Sequence, residues 1–197
     1  MKKDNISVFS NDNFYYKNQI LHYQNKNTFT LINLLRNKFR VNLISRKDKF
    51  KTINKKKFLN LNHENFFSLI KKIIYKENYR FLFISITPFN FFYFLILKIL
   101  FIKKERIYLF LRSDGFKEYQ IKFSYFGYFF YFFMFKIFCS SSNVLSCSRY
   151  FKRLKDFKIL LPSELDKFWL KKDFNKKINK KIKLLYVGRF RQEKGYL

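Results

Sequence analysis

Cysteine, histidine, glycine and proline are all scarce in this chain of 197 residues, and acidic residues number only 13. The two cysteines, Cys139 and Cys147, lie eight positions apart without a CxxC spacing, and only His22 and His63 could join them. A structural zinc site or a disulfide framework is therefore not expected, and buried free thiols in a reducing compartment are. No Asp-x-Asp pair is available to hold a divalent cation; Glu164 and Asp166 have that spacing but belong to a Pro-Ser turn. Residues 1–14 are polar and rich in Asn, with no apolar core followed by small residues, so no secretory signal is expected and a cytoplasmic location is. No internal repeat is evident, nor any RNP-like, zinc-finger or helix-turn-helix pattern.

What the chain does contain is lysine and aromatic residues. Lys and Arg total 42, giving a formal net charge of +29, and there are 30 Phe and 14 Tyr. A genome rich in A and T favours both the Phe and the Lys codons, which is the plainer account of this composition. A field of that sign still attracts polyanions, whether nucleic acid, anionic lipid head groups or phosphorylated substrates. The Lys runs at 55–57, 171–172 and 176–183 lie between apolar segments, where solvated loops are expected.

Taken in order, the chain alternates strand and helix patterns. Residues 6–9 read as a first strand, and 11–27 carry no clear period. Phe29, Ile32 and Leu35 share one helical face within 28–38, and 41–45 read as a second strand. Residues 47–57 form a charged connector. From Asn65, the residues Phe66, Leu69, Ile70, Ile73 and Ile74 oppose Lys71, Lys72 and Lys76, as in an amphipathic helix covering a sheet. The 22 mostly apolar residues 81–102 have the length of a membrane span. Residues 80–86, however, suit a buried strand, and Thr87-Pro88 suits an N-cap and first helical position. The remaining helix, 88–102, is about 22 Å long, short of a hydrocarbon core of about 30 Å. A strand followed by a buried helix is the preferred reading.

Residues 106–111 form another strand, with Arg112, Ser113, Asp114 and Gly115 at its end, where open α/β sheets place ligand-binding loops. Residues 123–138 are the most aromatic stretch, open to three readings: a fully buried helix, which is preferred, a helix in the membrane interface, or a span. Short strands at 143–147 and 157–161 flank a helix near 149–154, and 171–181 read as an exposed linker. The expected class is α/β, a Rossmann-like doubly wound parallel sheet in a domain over 1–175, followed by the start of a second domain over 176–197. There, residues 182–187 form an apolar strand ended by Gly188. Arg189, Arg191 and Lys194 could bring cations, and the loop its backbone N–H groups, to a phosphate.

A strand running into Gly188-Arg189-Phe190 and then Glu193-Lys194-Gly195 resembles the opening of the nucleotide-sugar-binding domain in family 4 glycosyltransferases of the GT-B type. Arg112-Ser113-Asp114-Gly115 with Glu118-Tyr119, residues 144–148, and Pro162-Ser163-Glu164 with Trp169 occur in the family's order and spacing. The resemblance covers roughly the second half of the chain. It implies transfer of a sugar from a nucleotide-sugar donor to a membrane- or lipid-linked glycan acceptor in surface polysaccharide or lipopolysaccharide synthesis. Gly188, Arg189 and Lys194 would contact the donor phosphates, and Asp114 and Arg112 would serve the acceptor side or catalysis. No metal and no cofactor beyond the donor is implied, and peripheral contact with an anionic membrane is expected. In the family a glycine-rich loop often follows the first strand and a histidine often lies near the Arg112 position; here no glycine precedes Gly115 and no histidine follows His63.

Two other classes compete: a basic nucleic-acid- or membrane-binding protein without catalytic activity, and a small polytopic membrane protein. On the leading reading the chain stops at the start of its donor-binding domain, so this polypeptide by itself is expected to show no turnover. Robust glycosyl transfer by the purified 197-residue chain would contradict that expectation.

Overall fold

The computed structural model describes residues 4–18, 20–46, 54–57, 62–63, 70, 79–113, 115–147 and 157–159. The first strand, β1 (Asp4–Lys17), leads into β2 (Ile20–Tyr23), helix α1 (Lys26–Leu35), β3 (Phe39–Arg46), β4 (Asn54–Lys57) and β5 (Asn62–His63). Then come β6 (Tyr79–Ile84), helix α2 (Pro88–Ile99), a 3-10 turn at Lys104–Arg106, β7 (Ile107–Leu111), helix α3 (Gly115–Ser140), β8 (Asn143–Ser146) and β9 (Phe157–Ile159). The architecture is α/β with a mostly parallel mixed sheet, compatible with a Rossmann-like fold.

Seven strands pair in parallel in the order β5-β3-β1-β6-β7-β8-β9. Numbered along the chain as parallel strands only, this is 3-2-1-4-5-6-7, the order of a doubly wound sheet whose direction of growth reverses beside the first strand. Both faces are covered. Ile6, Val8, Leu82, Ile84 and Phe110 pack with Phe29 and Ile32 of α1 on one side. Phe9, Phe81, Phe83, Leu109 and Leu111 pack with α2 and α3 on the other. The two-residue alternation of the pleat divides each strand between the two cores, which is why the strands read as near-continuous apolar runs.

β1 runs well past the expected 6–9. After a register shift between Ser10 and Asn13 it leaves the parallel sheet and pairs antiparallel with β2, which in turn pairs with β4. The aperiodic region after Asn11 and the end of the charged connector are thus a small antiparallel flap. It is tied to α1 by stacking of Tyr23 on Phe29 at 4.3 Å between centroids, and within the flap the Asn13 side chain donates to Gln24 at 3.0 Å.

Residues 81–102 divide as expected: β6, a turn, and α2 capped by the Thr87 hydroxyl, which accepts from the Asn90 amide at 3.2 Å. No helix among the described residues is long and apolar enough to cross a membrane. α2 is not wholly buried, however: Phe94 and Leu97 are inside while Phe92 and Ile99 are exposed. Of the amphipathic helix expected from Asn65, only Ile70 lies within the described residues; it is helical and packs against the α2–α3 core. The helix expected near 149–154, the linker and the start of a second domain lie outside them.

The largest departure is α3. Residues 123–138 are neither fully buried nor one straight rod. Phe123 and Ser124 have non-helical backbone, Ser124 at φ 56°, ψ −148°, and the chain reverses there. In a straight helix Phe116 and Tyr131 would be about 22 Å apart. Their rings instead meet edge to face at 4.8 Å, and Phe116 also reaches Phe135 at 5.1 Å. The segment before Phe123 therefore lies antiparallel on the segment after Ser124, as a helical hairpin. Two glycines make this approach possible. A Cβ on Gly115 would lie 2.2 Å from the Tyr131 ring, and one on Gly127 would lie 2.2 Å from the Tyr119 carbonyl oxygen.

In an uninterrupted exposed helix, Gly127→Ala should stabilise by up to about 1 kcal/mol. In the hairpin the methyl collides with backbone, and a loss of about 1–3 kcal/mol is expected. Urea unfolding of the two proteins decides between them, since the sign of the change in midpoint differs.

Candidate functional site

The carboxyl ends of β1, β3, β6 and β7 open on a cleft of about 780 Å³. It sits where the strand order reverses, between β1 and β6, the place at which open α/β sheets bind ligands. Its floor is Ile84, Ser85, Leu111 and Arg112, and its rim includes Asn11, Asp12 and Arg46. One wall is the α3 hairpin, through Glu118, Tyr119, Lys122, Phe123, Phe126, Phe130 and Tyr131.

The irregularity in β1 builds the polar corner. A bulge turns successive side chains out of the alternation, and here it falls between Ser10 and Asn13, bringing Asp12 to the cleft. The Asp12 amide donates to the Ser10 hydroxyl at 3.1 Å, and that hydroxyl donates to Asp12 Oδ2 at 3.2 Å. The same oxygen accepts from the Thr28 hydroxyl and faces Arg112 Nη2 at 3.4 Å. Arg112 Nη1 donates to Thr28 Oγ1 at 2.6 Å. Thr28 is buried, and the Asp12 and Arg112 side chains are 19% and 27% exposed, so the pair is sheltered yet open to the cleft. β1, α1 and β7 are joined through this one carboxylate.

The turn from β6 to α2 forms the facing edge. Ser85 has φ 65°, and its amide donates to the Phe110 carbonyl at 2.8 Å. The fully buried Asn90 side chain donates to the Ile84 and Ser85 carbonyls, each at 2.8 Å. This clamp holds the amino end of α2 at the cleft, where the helix dipole favours negative charge. The Arg46 guanidinium lies 5.8 Å from the centre of the Phe89 ring. Among the described lining residues, Arg46, Arg112 and Lys122 face Asp12 and Glu118, and Lys122 Nζ is 2.8 Å from Glu118 Oε1.

Burial, with Glu118 beside it, raises the Tyr119 phenol above its ordinary value, so it lines the cleft as a neutral hydroxyl. The two cysteines are free and half-buried rather than fully buried. Burial pushes the Cys139 thiol up to about 12. It also raises Cys147, an effect that the Arg112 guanidinium partly offsets. Neither is an activated nucleophile.

Of the residues singled out from sequence, Arg112 is in the cleft, flanked there by Ser113 and Gly115. Asp114, Gly188, Arg189 and Lys194 lie outside the described residues. Two of the Arg112 donors are committed to Asp12 and Thr28, so it anchors the cleft floor as well as lining it. Asp12, Thr28, Arg46 and Lys122 were not anticipated. For Asp12 a signal existed: it is the lone acidic residue between Asp4 and Asp48, just beyond an apolar strand. No group of three His, Cys, Asp or Glu side chains that could hold a metal ion occurs among the described residues. In comparison with known proteins, no family model, no curated protein and no solved structure matches the chain.

The link between Arg112 and Cys147 can be read in solution. In a Cys139→Ala background, Arg112→Gln removes the positive charge that favours the Cys147 thiolate. The pH profile of iodoacetamide labelling is expected to move to higher pH, with slower labelling at pH 8, while Arg112→Lys moves it less. Identical profiles in all three proteins would place the guanidinium away from Cys147.

Proposed function

We propose that the cleft is the acceptor side of a nucleotide-sugar-dependent glycosyltransferase of the GT-B type, acting on a membrane- or lipid-linked glycan in surface polysaccharide or lipopolysaccharide synthesis. The observation that carries this reading is the position of Arg112, from the Arg-Ser-Asp-Gly segment of the resemblance, on the floor of a large cleft at the switch point of the sheet.

The chemistry asked of such a site is to hold an acceptor hydroxyl at the anomeric carbon, assist loss of its proton, and stabilise a departing diphosphate. Asp12 and Arg112 form a fixed acid-base corner able to orient a hydroxyl, and Asp114 keeps the acceptor-side or catalytic role that the resemblance implies. Arg46 and Lys122 supply positive charge at the rim for an acceptor phosphate. The aromatic wall from Phe123 to Tyr131 suits sugar rings and isoprenoid chains. Gly188, Arg189 and Lys194 keep the donor-phosphate role that the resemblance implies, and no cofactor beyond the nucleotide-sugar is required.

Ligand binding to the native chain raises its melting temperature by mass action, by about 2.7 kcal/mol of stability at a hundredfold excess over Kd. A short-chain isoprenyl-pyrophosphate disaccharide is expected to raise the melting temperature of the purified chain, and the double variant Arg46→Gln/Lys122→Gln to lose most of that rise. An equal rise with a duplex oligonucleotide of matched charge would favour the nucleic-acid reading instead. No rise with the glycolipid would remove the support for an acceptor site.

A further inference from the structure

The α3 hairpin exposes a density of aromatic residues that its packing does not explain. Its inner face is buried, Tyr131, Met134 and Phe138 in the core beside the sheet and Gly127 against the other arm of the hairpin. Its outer face and tip carry Tyr125, Phe126, Phe129, Phe132 and Phe133, all largely in solvent, with Phe126 at 88% exposure. The patch continues onto α2: Phe91 meets Phe133 at 6.3 Å, and Phe92, Ile99 and the following Phe101, at 93% exposure, are also open. Contiguous apolar surface of this kind marks an interaction site.

The composition of the patch and its charge select the occupant. The outward positions are aromatic, the residue type that settles at head-group depth in bilayers. Exposed lysines accompany them: Lys117, Lys122 and Lys136 on the hairpin, and Lys103 and Lys104 just after α2. The whole chain carries +29. The longer hairpin arm, Tyr125 to Ser140, is about 24 Å at 1.5 Å per residue, too short to cross the hydrocarbon, and no described helix qualifies as a span. A short aromatic and basic helical element that cannot span is built to lie in the interface.

We infer that the tip and outer face of the Gly115–Ser140 hairpin form a docking surface for an anionic lipid bilayer, with the aromatic rings seated among the head groups and the lysines against lipid phosphates. The reversal at Phe123–Ser124 puts Ile121, Phe123, Tyr125 and Phe126 at one apex, so the chain enters the interface as a wedge rather than as a flat helix. Phe123, Phe126 and Phe130 also line the cleft, so its mouth opens beside the lipid surface. Lipid docking does not depend on which reaction the cleft carries out, although the two surfaces share Phe123, Phe126 and Phe130.

The purified full chain is floated with phosphatidylcholine vesicles, with and without phosphatidylglycerol, at physiological salt. Binding to the anionic vesicles is expected, with weak binding to the neutral ones. Phe123→Ser/Phe126→Ser, whose folding is checked by circular dichroism, is expected to weaken binding roughly tenfold or more. A second measurement does not depend on that variant: in a Trp169→Phe background, Phe126→Trp provides one tryptophan at the apex. Its emission should shift to the blue on anionic vesicles and be quenched by brominated lipid. The inference is overturned if wild type does not bind, if the serine variant binds equally, or if the chain binds while the emission of the apical tryptophan stays unchanged. It is equally overturned if wild type is a dimer that the serine variant renders monomeric and neither binds vesicles, because the patch would then pair two copies. Loss of glycolipid binding with vesicle binding retained would count against the acceptor reading alone.

Discussion

The carboxylate of Asp12 holds together parts of the chain that are far apart in sequence. It accepts from Ser10 in its own strand and from Thr28 at the start of α1, and it faces Arg112 at the end of β7, a hundred positions away. A guanidinium and a carboxylate removed from most of the solvent are costly apart and acceptable together, provided the remaining donors and acceptors find partners. Ser10 and Thr28 provide those partners. The corner therefore fixes the entry of α1, the exit of β7 and the bulge that diverts β1 into its flap, and with them the shape of the cleft.

A second constraint works on the opposite wall. The α3 segment is apolar on nearly every side, and a single straight helix of that composition would have to be buried all round. Folding it back at Phe123–Ser124 buries Phe116, Tyr119 and Tyr131 against each other while leaving the outer rings in solvent. The fold-back needs backbone to approach ring at Gly115 and backbone to approach backbone at Gly127, and these are two of only four glycines in the chain. It also requires Ser124 to occupy a region of backbone space that is otherwise nearly the preserve of glycine, a local strain held by the packing around it. One element thus serves as cleft wall and as exposed aromatic surface.

Much of the scaffold was legible beforehand because it depends on local pattern. Strands β3, β6, β7 and β8 announce themselves as short apolar runs, and Thr87-Pro88 marks the start of α2 by the chemistry of its cap. That chemistry also divided 81–102 into strand and helix where hydropathy alone suggested a span. Arg112 was found because it stands at a strand end, where the topology of an α/β sheet concentrates function. The flap formed by β2, β4 and the end of β1 escaped notice, since between Asn11 and Asn27 the buried Phe14, Leu21 and Tyr23 are spaced among polar residues without a clear period, and β2 pairs with a segment about thirty positions away. Asp12 escaped with it, because its importance lies in partners remote in sequence.

The sequence by itself determined the class of the fold, the alternation of strand and helix, the positive field and the location of one site residue. Each of these follows from composition or from a period within a few turns of chain. Tertiary structure alone decided that Asp12 meets Thr28 and Arg112, that the sheet reverses its order beside β1, and that the aromatic segment doubles back to leave most of its rings in solvent. The physical reason is the same in each case. A helix period records which residues could share a face, but the partner that covers the face, and the close contact that lets a chain turn on itself, are set by atoms brought together from distant positions.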